Sequence, residues 1–509
     1  MNFMDSMKGT LNNEFNHSVT ENGAVGYRTT GKELLDMNFA VASLRSATEK
    51  DIEDRFIRAF FEDKMSAMKW LFFARDIRGG LGERRLFRVA LHRIAEDYPE
   101  YVKPTLALVP EYGRWDDLWC LFDTELVDSV TELVSRQLED DLSNLEQNKP
   151  ISLLSKWMPR QKASSHQSRK YAEILKYKLD MTERTYQHTV AQLSHYLKVV
   201  ECLMSRNDWD KINYEHVPSR ANLLYNKAFL RHDEERRREF LSSLERGETK
   251  INSSVLFPHD IVHKYKNCRY DAALEAMWKS LPDAVNGCEN TIVVADGSGS
   301  MNCSIGSGNV TAHDVARALA IYFAERSSGQ FKDNFITFSM RPQMVDLSGG
   351  KNLSEKLGII RRYTEVANTN IEAVFDLILT TAIRKNMKQS DLPKNILIIS
   401  DMEFDKCAFA SSSISYYCVR PNSRLFDIMS NRFQSAGYQL PRLVFWNVNS
   451  RTGTIPVKEN DLGVALVSGF SPNIAKMVMS NQLDPYQCLL DAINVERYQP
   501  VEDALQSVL

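Results

Sequence analysis

Four apolar runs of strand length, Thr291–Ala295, Phe335–Phe338, Asn395–Ile399 and Leu443–Trp446, follow a long stretch whose apolar residues recur only at helical spacing. Helical segments separate these runs, over Thr311–Arg326, Ile371–Asn386 and Ser423–Gly437. Short apolar runs alternating with helices are the pattern of a doubly wound α/β sheet whose strands are buried on both faces. From Gly31 to Pro282 the periodicity differs. Phe56, Phe60, Phe61, Met65 and Met68 trace one helix face, and Leu86, Val89, Ala90 and Ile94 another. Leu126–Leu145, Tyr171–Leu179 and Tyr186–Met204 continue it, with breakers such as Gly79-Gly80, Pro99, Pro110, Gly113 and Pro218 between helices of ordinary length. The expected fold class is multidomain α plus α/β, with an N-terminal half of degenerate helical repeats and a C-terminal doubly wound sheet.

A chain of 509 residues is long for one core and agrees with at least two domains. The net charge of −3 excludes a global basic signature, so any nucleic-acid surface has to be local, and no DNA specificity is expected. Residues 1–25 are polar, without the apolar core of a secretory signal, and no apolar run is long enough to span a bilayer. The eight cysteines are scattered without a C-x-x-C pair, which favours reduced thiols in a cytoplasmic protein over a disulfide framework or zinc knuckle.

The run Thr291–Ala295 leads directly into Asp296-Gly-Ser298-Gly-Ser300-Met301. A carboxylate and two hydroxyls at alternate positions, separated by glycines, converge on one point at a strand's carboxyl end, where ligands sit in such folds. Oxygen donors of this kind suit a hard cation, Mg²⁺ or Mn²⁺, whereas a soft metal needs Cys or His. Thr369 and Asp401, the latter after the run Asn395–Ile399, complete the candidate set. Thr369-x-x-Glu372 also reads as a capping box, so its hydroxyl has a purely structural alternative. A phosphate loop and a G-x-S-x-G hydrolase elbow are both absent.

Asp296, Ser298, Ser300, Thr369 and Asp401 in this order resemble the metal-ion-dependent adhesion site of von Willebrand factor A domains. The resemblance covers roughly Gly287 to Leu509 and implies an open coordination position for an acidic partner side chain. Two departures stand out: Ala367-Asn368-Thr369 lacks the usual glycines, and Asp401-Met402-Glu403-Phe404-Asp405 replaces a common Asp-Gly and adds charge beside the site. A helical-repeat half before such a domain resembles Ro autoantigen proteins, whose TROVE module binds RNA. Strings such as Ala74-Arg-Asp-Ile-Arg-Gly-Gly80, Tyr112-Gly-Arg-Trp-Asp-Asp-Leu118 and Leu256-Phe-Pro-His-Asp-Ile261 are similar to a related, poorly characterised family of the same architecture. The resemblance implies a flexible N-terminus over 1–30, a TROVE- or HEAT-like helical domain over 31–285, and an A domain over 286–509.

Two basic segments carry the RNA reading on their own chemistry. Arg84 and Arg85 belong to one, with Arg75, Arg78, Arg88 and Arg93. Lys156, Arg160, Lys162, His166, Arg169 and Lys170 belong to the other, interleaved with serines, Trp157 and Tyr171. Cations mixed with hydroxyl donors and stackable rings suit single-stranded or looped RNA, though a charge run is also the ordinary composition of a solvated helix face. Arg231, His232 and Arg236–Arg238, alternating with acids, read as such a face, and Trp115 and Trp119 read as core. The expected function is that of a non-catalytic RNA-binding protein with a divalent metal in its A domain. The alternatives are a metal-dependent adaptor for an acidic protein partner and, more remotely, a nuclease using Asp296, Asp401, Glu403 and Asp405.

Overall fold

The computed structural model describes residues 16–21, 25–265, 269–285, 290–306, 308–338, 342–363, 371–403, 425–456, 464–475, 477 and 484–509. The chain divides into two compact units, each assembled from separate segments. The sheet unit comprises Met1–Thr48, Phe257–Asp271 and Leu281–Ala492, and the helical unit comprises Glu49–Leu256, Ala272–Ser280 and Ile493–Leu509.

In the helical unit, helix Lys64–Arg75 starts where the Asp63 carboxylate accepts from the Ser66 amide at 3.1 Å. Every residue from Ser66 to Arg75 is buried, as expected of a helix enclosed on all sides. Helices Glu49–Glu62, Arg84–Asp97 and Gln499–Leu505 pack against it. Gly80 closes the turn after this helix, where a β-carbon would lie 1.9 Å from the Phe73 carbonyl oxygen, so the turn has no room for a side chain. The final segment is held by Lys69, whose ammonium reaches Glu502 at 2.7 Å and Asn494 at 2.8 Å.

The sheet unit opens with a two-stranded antiparallel hairpin of β1 (His17–Val19) and β2 (Val25–Tyr27), with Tyr27 bridged to Ile455. Its main sheet contains β3 (Thr291–Asp296), β4 (Asn334–Phe338), β5 (Met344–Asp346), β6 (Asn395–Ser400), β7 (Arg442–Asn447) and β8 (Val464–Ser468). The spatial order is β5-β4-β3-β6-β7-β8, parallel except for the antiparallel edge strand β5. Strands β3 and β8 are buried throughout, and β6 and β7 beyond their first residue, which accounts for their unbroken apolar runs. Connections leave β3 in one direction and β6 in the other, so the topological switch lies between these two strands. Helix Glu33–Leu44 is stitched to the ends of β7 and β8, where Asn447 Nδ2 donates to the Phe39 carbonyl (2.8 Å) and the Ala42 amide donates to Ser468 Oγ (3.0 Å).

The expected boundaries at 30/31 and 285/286 differ from this division in three places. Among described residues, 16–21 and 25–30 are part of the sheet unit and include the hairpin, rather than forming a flexible lead. Phe257–Asp271 joins the sheet unit because helix Pro258–Val262 packs on helix Ala312–Arg326. Ile493–Leu509 joins the helical unit through Lys69 and Asp76. Polar composition at 1–30 gave no hint of pairing across some four hundred residues of sequence.

Candidate metal centre and basic surface

The switch point sets the geometry of the acidic site. Strands β3 and β6 run in register, Ala295 opposite Ile399, so Asp296 and Ser400 end side by side and Asp401 follows immediately. Asp296 is 2 % exposed; one oxygen accepts from the Ser298 amide (2.8 Å) and the other from the Ser400 hydroxyl (2.6 Å). The Ser298 and Ser300 hydroxyls stand 2.8 Å apart. Asp401 is 1 % exposed; its Oδ1 accepts from the Glu403 amide (3.3 Å), while its buried Oδ2 has no hydrogen-bond partner among the described residues and lies 3.7 Å from Arg451 Nη2. The intervening Met402 has φ +62°, a left-handed conformation that disfavours any residue with a β-carbon, which explains why glycine is common there in the resembled loop.

Electrostatically the two carboxylates are under strain. Burial, reinforced by the Asp401 charge, pushes Asp296 up to about 7 against the pull of its hydroxyl and amide donors. Burial raises Asp401 as well, opposed by the Ser300 hydroxyl, the Glu403 amide and Arg451. A buried oxygen without a donor among the described residues, two carboxylates held together and two hydroxyls beside them are what a hard cation would relieve. Among the described residues no cluster of three or more His, Cys, Asp or Glu side chains is suited to a metal, so a cation here would depend on the serine hydroxyls. Thr369 and Asp405 lie outside the described residues.

Glu403 does not face this site. It is fully buried, and its carboxylate accepts from the amides of Glu21, Arg451 and Thr452 at 2.9–3.0 Å and from the Thr452 hydroxyl at 3.1 Å. The charge that the sequence places next to the metal loops is therefore spent on ordering the Arg451–Thr454 loop. Arg451 stands over the acidic pair instead, with its Nη2 bonded to Glu21 at 2.7 Å.

In the helical unit the two basic segments meet. Arg75 and Arg88 bind Asp117, Arg88 and Arg114 bind Asp116, and all four contacts are ion pairs of 2.6–2.9 Å. Arg84 joins this group without an ion-paired carboxylate among the described residues; burial and the neighbouring Arg88 push it below the usual guanidinium range. The Arg114 guanidinium then stacks on Trp157, 3.9 Å from the ring centre, and Lys156 Nζ lies 5.5 Å from the same ring. Tyr171 packs edge-on against Phe122. A strip Arg84–Arg114–Trp157–Lys156 thus links segments more than seventy positions apart in the chain, with Arg84 and Arg85 exposed along it and Lys162, His166 and Lys170 exposed farther along the second segment.

Two of the expected RNA contacts, Arg160 and Arg169, are exposed but bonded within the helical unit. The Arg160 guanidinium donates to the Ser155 carbonyl (3.2 Å) and Ser194 hydroxyl (2.9 Å), and that of Arg169 to the carbonyls of Ala163 and Ser164 (2.7 and 3.0 Å). Both guanidiniums spend hydrogen bonds on chain carbonyls, which limits what they can offer a ligand. Arg114, which stands alone between the basic segments in the sequence, joins the strip through its stack on Trp157. Arg237, read as part of a solvated face, is wholly buried, donating to Asn222 and Asn226 among the rings of Tyr214, Phe229 and Phe240. Trp115 and Trp119 are buried as expected.

Residues 290–499 match the family model described as domain of unknown function DUF7788, and residues 160–293 match domain of unknown function DUF2828. Among solved structures, the crystal structure of the Deinococcus radiodurans RO (RSR) protein is similar at 12% identity, covering 84% of this chain and 92% of that one with a TM-score of 0.45. The uncharacterized protein L728 of Acanthamoeba polyphaga mimivirus is 30% identical over 531 aligned residues, spanning 96% of this chain and 89% of that protein. Similarity of that level along nearly the whole of both chains means that this protein belongs to the same family as the mimivirus protein.

Proposed function

We propose that the protein is a non-catalytic RNA-binding protein whose sheet unit is a von Willebrand A-type domain. The RNA reading is carried by the strip Arg84–Arg114–Trp157–Lys156, because it places the exposed Arg84 beside a guanidinium–indole stack. The A-type reading is supported by the strand order with its single antiparallel edge and by Asp296 and Asp401 at the switch point. Asp296, Ser298, Ser300 and Asp401 would hold Mg²⁺ or Mn²⁺, with Thr369 as the further candidate. The cation would supply charge compensation and an open coordination position. The chain's own contribution is to hold two carboxylates dry and two hydroxyls beside them.

A metal-dependent adaptor is the second reading, and the placement of Glu403 favours it: with that charge turned away, an acidic partner side chain meets less repulsion at the site. A two-metal nuclease is disfavoured for the same reason, since Glu403 is saturated by donors and unavailable as a bridging ligand. The test is filter binding of single-stranded RNA to the full-length wild type and to the Arg84→Ala/Arg114→Ala double variant. Loss of affinity of tenfold or more in a folded variant is expected; equal binding by both proteins overturns the assignment.

A further inference from the structure

The hairpin of β1 and β2 lies directly on the loop that follows β7. Tyr27 and Ile455 exchange both backbone hydrogen bonds at 2.8 Å, and the Ser18 and Thr454 hydroxyls stand 3.0 Å apart. The approach is close: a β-carbon on Gly26 would lie 2.6 Å from the Ile455 carbonyl oxygen, so there is no room for a side chain. Beyond β1 the Glu21 amide donates to Glu403 at 3.0 Å, and Glu403 also accepts from the amides of Arg451 and Thr452. One buried carboxylate therefore sets Glu21 and Arg451 side by side.

Their side chains use that placement. Arg451 Nη2 binds the Glu21 carboxylate at 2.7 Å and stands 3.7 Å from Asp401 Oδ2, while Nη1 reaches Cys303 Sγ at 3.9 Å. One nitrogen is thus shared unequally between an outer carboxylate and a buried one. Glu21 is 48 % exposed and Arg451 32 %, so their pair adds little to stability. Its effect is on position. Asp401 Oδ2 is buried without a hydrogen-bond donor among the described residues, and it attracts any cation set free beside it. A guanidinium released from Glu21 would have to move only about 1 Å to donate to that oxygen. An oxygen so bonded is lost to a metal, because both need the same lone pairs and the two cations repel.

We propose that Glu21 is a positioning residue for the metal site: by holding the Arg451 guanidinium it keeps Asp401 Oδ2 open to Mg²⁺, and release of Arg451 onto Asp401 closes the site. The proposal rests on the metal reading above and adds to it a control exerted from the first hairpin.

Isothermal titration of the full chain with Mg²⁺ tests it as a double-variant cycle. Glu21→Gln keeps the amide that Glu403 requires and removes only the charge that holds Arg451, so the melting temperature without added metal stays unchanged. Mg²⁺ binds Glu21→Gln about tenfold more weakly than wild type, the worth of one charge-assisted hydrogen bond that the cation has to break. Arg451→Gln binds Mg²⁺ at least as tightly as wild type. Adding Glu21→Gln to Arg451→Gln weakens binding by no more than about threefold, since only a screened surface charge is then lost. A crystal structure of Glu21→Gln grown without divalent metal shows Arg451 bonded to Asp401; a guanidinium still held off that carboxylate overturns the proposal. Equal affinity in wild type and Glu21→Gln, or the same loss with and without Arg451, overturns it too and leaves the metal reading standing. Absence of Mg²⁺ binding in all four proteins overturns the metal reading and this inference with it.

Discussion

Asp76 and Arg497, more than four hundred positions apart, form a two-pronged ion pair inside the helical unit. Arg497 Nη2 donates to Asp76 Oδ1 at 3.0 Å, and its Nε donates to the other oxygen. Asp76 is only 1 % exposed and also accepts from the Arg78 amide (2.9 Å) and the Tyr498 hydroxyl (3.1 Å). The Tyr498 ring is sandwiched against Phe73 and Tyr112, so the pair ties the chain's last segment to the centre of the helical core.

Removing Arg497 therefore leaves a buried carboxylate short of its cation. Breaking a fully buried pair costs about 3–5 kcal/mol, but Arg497 is 41 % exposed, and solvent screening reduces the expected cost of Arg497→Ala to about 1–2 kcal/mol. Urea unfolding followed by circular dichroism reads this directly. Deleting residues 493–509 removes Tyr498, Val501 and Leu505 together and is expected to unfold the helical unit. A deletion variant with an unchanged transition would mean that the segment is peripheral.

The acidic site predicts a pH-dependent response to Mg²⁺. Asp296 has a folded-state value of about 7, above its ordinary 3.8, so the metal-free protein is favoured when the proton is on. That contribution is complete below about pH 4 and is lost as pH rises through 7. A cation competes with the same proton, so its affinity must rise over the same window. The Mg²⁺-induced increase in melting temperature should be larger at pH 8 than at pH 6 and absent in Asp296→Ala. Equal increments at both pH values, or in both proteins, would contradict the site.

Arg237 gives a prediction that the sequence alone would have reversed. Arg237→Ala empties a fully buried site and strips donors from Asn222 and Asn226, so it should cost about 3 kcal/mol or more. Arg238, exposed and paired with Glu234 one turn away, should change stability by only ~0.5 kcal/mol on replacement by Ala. Parallel denaturation of the two variants separates a buried guanidinium from a surface one.

The difference between these neighbours shows where the sequence is legible. Local periodicity located four of the five parallel strands and most helices, because burial on both faces or one face writes itself into apolar spacing. It missed β5, whose three residues alternate exposed, buried, exposed at the sheet edge, and β8, a short apolar run without a motif beside it. The acidic loop was legible because Asp296, Ser298 and Ser300 stand at alternate positions of one short stretch. The fate of Glu403 was not, since its partners come from Glu21 and the Arg451–Thr452 loop. Arg114 and Arg237 fail to declare themselves for the same reason: composition reports charge, while function and burial depend on contacts made across the chain.

The basic surface makes a quantitative claim about salt. Arg84, Lys162 and Lys170 are exposed, and Arg160 and Arg169 are held by chain carbonyls. For single-stranded RNA the log–log slope of affinity against salt is about −0.7 per phosphate neutralised, so ~4 contacts give a slope near −3. Replacing Arg84, Lys162 and Lys170 together by Ala should flatten it by roughly 2 units while weakening all sequences alike. Arg160→Ala and Arg169→Ala should instead lower stability by ~1 kcal/mol each, through lost hydrogen bonds, and alter the slope little. A filter-binding salt series with circular dichroism on the wild type and these three variants distinguishes these outcomes. A triple variant that stays folded and keeps the wild-type slope would reduce the segment to a solvated helix face, and a steepened loss in Arg160→Ala would return that residue to the RNA surface.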